Sequence, residues 1–120
     1  MSKLVEKIKS GDLELDDLND EALFKVFVEG PSLVSGFPLG AKPKSFVERL
    51  CLENGKIIKY VINQTSIMRM NSVRQDGMCL EYCNMQSQAL CLEAVKNNKE
   101  AIKFVKSSYP SVNKYLGGVQ

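Results

Sequence analysis

Apolar side chains in the second half of this chain recur in a constant order at a step of 22 residues. Phe46, Met68 and Leu90 form one column, and Cys51, Val73 and Val95 form the next. Ile57, Cys79 and Ala101 follow, then Ile58, Leu80 and Ile102, then Tyr60, Tyr82 and Phe104, then Val61, Cys83 and Val105. Within each half-segment the spacing is helical, as in Ile57, Ile58, Val61 and Ile62. A polar break separates the halves: Asn54-Gly55, Asp76-Gly77 and Asn98-Lys99. Asn-Gly and Asp-Gly favour a turn at positive φ, which would end one helix and let another start. Residues 44–65, 66–87 and 88–109 are therefore expected to be helical hairpins, each a short helix, a tight turn and a second short helix.

Helix punctuation falls at the segment boundaries. Pro43 precedes the first segment, Thr65-Ser66 the second and Ser87 the third, where a hydroxyl can satisfy the free amides of a first turn. Helices this short are marginal alone in water and persist by burying their apolar stripes against a neighbour. Upstream, Leu4, Val5 and Ile8 predict an amphipathic helix over residues 2–9. Leu23, Phe27 and Val28 lie 23 residues before Phe46, Leu50 and Cys51, as a degenerate earlier unit would place them. The segment Gly36 to Pro43 reads as an irregular linker, and Ser111 to Leu116 as the start of a last helix before Gly117-Gly118. The expected fold is all-α: three short helical-hairpin tandem repeats of 22-residue period behind an N-terminal capping helical segment. One domain spans 1–120, with cap and linker at 1–43, repeats at 44–109 and a C-terminal cap at 110–120.

The stretch Leu90-Cys91-Leu92-Glu93-Ala94-Val95-Lys96-Asn97-Asn98-Lys99-Glu100-Ala101-Ile102-Lys103-Phe104-Val105-Lys106 resembles a short helical tandem repeat. That repeat belongs to an uncharacterised family, a domain of unknown function, found in arrays in giant viruses, large phages and some bacteria. The resemblance covers residues 44–109 and is closest in the third segment. It implies a helical array and a viral origin, and it brings no catalytic residues with it.

Charge changes the picture only through its distribution. The net value is +2, but residues 1–29 hold 4 basic and 8 acidic side chains, −4, while the remainder holds 12 and 6, +6. An acidic head and a basic body suggest either docking of one on the other or two faces for different partners. No apolar run approaches the roughly 18 residues of a membrane span, and the first residues lack a secretory apolar core. The expectation is a cytoplasmic protein, in the host cytoplasm if viral, with no membrane partner.

Candidate chemistry is sparse. There is no histidine, so the usual base for a Ser or Cys nucleophile is missing. Cys51, Cys79, Cys83 and Cys91 could together offer four thiolates to zinc. Cys51, Cys79 and Cys83, however, stand in columns held elsewhere by Val, Ile or Ala, as buried thiols do, while Cys91 aligns with Val47 and Arg69. The carboxylates of Asp12, Glu14, Asp16, Asp17, Asp20 and Glu21 lack the glycine and terminal glutamate of a calcium loop. The glycines around Lys42 lack a Gly-Lys-Ser/Thr phosphate cradle. The expectation is no enzyme, with no catalytic, cofactor or metal residues.

Two surfaces remain as partner-binding candidates. Met78 stands where the sister segments have Lys56 and Glu100, and Met85 where they have Asn63 and Ser107; either these columns face water and expose both methionines to a partner, or local packing or the N-terminal helix covers them. Lys56, Lys59, Arg74, Lys96, Lys99, Lys103 and Lys106 gather near the turns and second helices as a basic stripe, interrupted by Glu81 and Glu100. The preferred function is a protein–protein interaction module, a small viral or phage factor that binds and modulates or inhibits a host or defence protein. The alternative is a helical repeat that binds nucleic acid through its basic face. Self-association through an exposed end of the array is also open.

Overall fold

A single residue, Asn or Asp, performs two tasks at each polar break. In the computed structural model, which describes residues 3–117, Asn54, Asp76 and Asn98 all take extended backbone, with φ of −147°, −155° and −151°. Each residue's own N–H still closes the preceding α-helix, donating to the carbonyls of Leu50, Ser72 and Ala94. Each side-chain oxygen accepts from the amide two residues on, that of Lys56, Met78 or Glu100, at 3.0–3.1 Å. That Asx cap starts a six-residue 3-10 helix. The second half of each segment is thus 3-10 rather than α. The expected positive φ is absent too: among the described residues only Gly11, Gly36 and Gly117 adopt it.

The elements in order are α1 (Lys3–Ser10), a 3-10 turn (Leu15–Asp17), α2 (Asp20–Glu29), 3-10 helices at Pro31–Val34 and Leu39–Ala41, and α3 (Lys44–Glu53). After these come a 3-10 helix (Gly55–Tyr60), α4 (Ser66–Gln75), a 3-10 helix (Gly77–Tyr82), α5 (Gln88–Asn97), a 3-10 helix (Lys99–Phe104) and α6 (Pro110–Tyr115). The described residues are all helix and connection, with no strand. Caps account for the starts. Asn19 Oδ1 accepts from Ala22 N, Thr65 Oγ1 from Met68 N and Ser87 Oγ from Leu90 N. The N-terminal helix is described from Lys3 to Ser10; Ser2 lies outside the described residues, as do residues 118–120.

Helices pack in chain order. Helix α1 lies on α2, α2 on α3, α3 on α4, α4 on α5 and α5 on α6, while the 3-10 helices form a parallel row from Pro31–Val34 through Lys99–Phe104. The body measures 56 × 26 × 19 Å with a radius of gyration of 16.2 Å, against roughly 14 Å for a compact domain of this length. A thin, continuous core runs along the axis: Val5, Leu23, Phe27, Leu50, Ile57, Ile58, Leu80, Val95 and Val112 are buried. Ser72 is fully buried where the flanking helices carry Leu50 and Ala94. Its hydroxyl lies close enough to the Cys51 thiol to ease that group's ionisation but meets no oxygen or nitrogen partner.

Polar locks tie each layer to the next. Gln64 donates to Tyr82 O and accepts from Asn84 N; Gln86 donates to Phe104 O and accepts from Lys106 N. Gln75 Oε1 accepts from Gly55 N, and Asn97 Oδ1 from Gly77 N. The two glycines are needed for proximity, not for dihedral freedom. A Cβ on Gly55 would sit 2.6 Å from the Ser72 carbonyl oxygen, and one on Gly77 would press on the Ala94 carbonyl.

Candidate docking groove on the 3-10 face

The row of 3-10 helices presents Tyr60, Tyr82 and Phe104, each half-buried, as a ladder of aromatic side chains. Lys59 lies across two rungs, its Nζ 5.7 Å from the Tyr60 ring centre and 5.5 Å from that of Tyr82. Lys103 Nζ lies 5.5 Å from the Phe104 ring. A cation held over a ring keeps its charge near the surface while its stem covers apolar area. Beside Tyr60 and Tyr82 opens a groove of about 470 Å3, lined by Pro31, Ser32, Lys56, Lys59, Asp76, Met78, Cys79 and Glu81. Its charges are mixed, two lysines facing Asp76 and Glu81.

Tyr60 also borders a second, more apolar groove of about 450 Å3, formed by Phe37 to Lys42 with Val47, Val61, Ile62 and Met68. Ile62, on its rim, is 86% exposed. It stands where the sister segments have Asn84 and Lys106, the same anomaly that singled out the methionines. Sequence reading missed it because Ile62 also completes a helical apolar set with Ile57, Ile58 and Val61. The 3-10 geometry ends at Tyr60, so Ile62 falls outside that face.

The structure gathers some of the expected surface residues and separates others. Met78, Lys56 and Lys59 share the 3-10 groove, where Met78 is half-buried. Met85 is 65% exposed and borders a smaller depression with Arg69, Met70 and Leu90. Arg74 and Lys96 stand at the C-terminal turns of α4 and α5, where Arg74 pairs with Glu93 at 3.5 Å. Lys99, Lys103 and Lys106 are exposed on and just beyond the last 3-10 helix. The columns do not keep one sign along the row: one runs Lys59, Glu81, Lys103 and another Lys56, Met78, Glu100. The basic residues therefore form several local clusters rather than one stripe.

All four cysteines are free and buried, Cys91 included, its column being buried at Val47 as well. Among the described residues no three Cys, Asp or Glu side chains are grouped to hold a metal. Burial pushes the Cys51 thiol up to about 11 and those of Cys79 and Cys83 up to about 12, from an ordinary 9.0. Cys91 shifts upward for the same reason. The folded state thus holds these protons more tightly than the unfolded chain. Stability should be flat below pH 9.0 and fall as pH rises from there toward 11–12, by about 1.4 kcal/mol per pH unit per thiol. Urea titrations at stepped alkaline pH check this, and Cys83→Val, which copies Val61 and Val105, should make the fall shallower.

No helix among the described residues is long and apolar enough to cross a membrane. No family model, curated protein or solved structure matches the chain.

Proposed function

We propose that residues 44–109 are a tandem array of three 22-residue units, each an α-helix and a 3-10 helix, and that this array is a protein-interaction platform. Equal steps between α3, α4 and α5, identical Asx switches and matching glutamine locks support the array. In this reading residues 1–43 cap the array's first unit and 110–120 its last. A rod of stacked units offers a long surface for its mass, which suits docking better than enclosing a substrate.

The observation that carries the function is the 3-10 face: Lys59 bridging Tyr60 and Tyr82 above a mixed-charge groove that meets an apolar groove at Tyr60. Half-buried tyrosines, a methionine and a rim isoleucine are the residue types that anchor protein partners. The resemblance of residues 90–106 to a viral and phage repeat directs the search to a host protein that the chain binds and modulates in the cytoplasm. No catalytic or cofactor role is assigned. Affinity capture from the native host, with mass spectrometry, identifies the partner. Lys59→Glu combined with Met78→Ser should then weaken that complex about tenfold or more, with helical circular dichroism unchanged. Equal affinity of the variant removes the groove from the proposal.

Lys59 stacked on two tyrosines also favours a second reading, single-stranded nucleic acid laid along the ladder. It predicts binding that falls steeply with salt. Asp76, Glu81 and Glu100 along the same face make protein the preferred occupant.

A further inference from the structure

The column Ile58, Leu80, Ile102 changes character at its last member. Ile58 and Leu80 are fully buried, each covered by the next 3-10 helix in the row, whereas Ile102 is 40% exposed. Helix α6 continues the α-helical stack beyond α5, but among the described residues no further 3-10 helix follows Lys99–Phe104. Position 99 differs as well: Lys99 replaces the glycine that lets the next helix approach at Gly55 and Gly77. Ile102 thus stands part-exposed at the end of the described row, with Lys99, Lys103 and Lys106 exposed on the same 3-10 helix and just beyond it. Residues 96–120 carry five lysines and one glutamate, +4.

The opposite end of the chain has the complementary character. Residues 1–29 carry −4, and a shallow concavity of about 380 Å3 there is lined by Ile8, Leu13, Leu15 and Phe37 together with the carboxylates of Glu14 and Asp16. Sequential packing along a 56 Å axis keeps this concavity away from the C-terminal lysines of the same chain, far beyond the roughly 8 Å over which such charges act at physiological salt.

We propose that this protein self-associates head to tail, the Ile102 end of one copy seating on the acidic N-terminal concavity of another. The proposal rests on reading Lys99–Phe104 as the uncovered end of the row. The surfaces differ, so the contact is heterologous and would grow open chains. The 26 × 19 Å cross-section limits burial to roughly 1,000 Å2 in total, the lower bound for a specific interface, so association is weak and concentration-dependent.

Sedimentation velocity over a concentration series tests it. At about 50 mM salt the weight-average sedimentation coefficient should rise with concentration, and at about 500 mM it should not. Ile102→Asp, at a site already part-exposed, and separately Lys103→Glu, should each raise the apparent Kd about tenfold or more, with circular dichroism unchanged. A tail-reversed variant (Lys99→Glu with Lys103→Glu) and a head-reversed variant (Glu14→Lys with Asp16→Lys) should each stay monomeric alone and associate when mixed. A monomer at every concentration and salt overturns the proposal. So does association that Ile102→Asp and Lys103→Glu both leave intact, or a mixture of reversed variants that stays monomeric.

Discussion

Gly77→Ala should cost about 3 kcal/mol or more, a large share of the roughly 5–15 kcal/mol that holds a domain of this size together. The added methyl would enter the space of the Ala94 carbonyl, a backbone atom that cannot swing aside. Separating the 3-10 helix from α5 would also break the 2.6 Å bond from Gly77 N to Asn97 Oδ1 and disturb the Asn97 bond to the Arg74 carbonyl. Gly55→Ala meets the Ser72 carbonyl at 2.6 Å and the Gln75 lock in the same way. Backbone conformation contributes little to either penalty, since neither glycine has positive φ. Thermal or urea unfolding of the two variants reads the result. A change below about 1 kcal/mol would mean that the layers are not pressed together as described.

Equivalent truncations should give unequal losses. Leu80 is fully buried, so Leu80→Ala should cost about 3 kcal/mol for lost transfer energy and the cavity left behind. Ile102 occupies the same column and is 40% exposed, so Ile102→Ala should cost under about 1 kcal/mol. The chemistry of the two changes is close; the covering layer is what differs. Equal losses in urea unfolding would show that Ile102 is covered in solution.

Much of the helical character was legible because punctuation and periodicity agree. Thr65 and Ser87 mark the starts of α4 and α5, and Pro43 that of α3. What the sequence hides is the distinction between α and 3-10 in the second half of each segment. Both geometries place Ile57, Ile58 and Tyr60 on adjoining faces, and six residues are too few for the difference in pitch to show. The breaks mislead for a related reason. Asn-Gly and Asp-Gly suggest left-handed turns, yet Asn54 and Asp76 stay extended and the glycines serve close packing. Lys99, at the same position in the third segment, held that clue, because a lysine there is compatible only with an open neighbour.

The candidate surface was legible where an apolar residue interrupts a polar column, as at Met78 and Met85, and the same test applied to Ile62 would have found it. Tyr60 and Tyr82 were not legible, since tyrosine in an apolar column looks like core until exposure and the position of Lys59 are known. Nor was the scatter of the lysines. Their grouping depends on which residues face outward from a 3-10 helix and which end an α-helix.

Removal of residues 66–87 puts the tandem array to its sharpest test. If 44–109 is an array, the cut joins Thr65 to Gln88 in register, and Thr65 caps α5 in place of Ser87. Gly55 would then meet Ala94 and Asn97 as Gly77 does, and Gln64 would reach Phe104 and Lys106 as Gln86 does. The shortened chain should fold, with a cooperative thermal transition at lower temperature and dispersed amide resonances. A chain that is unfolded, or collapsed without a cooperative transition, would contradict the account.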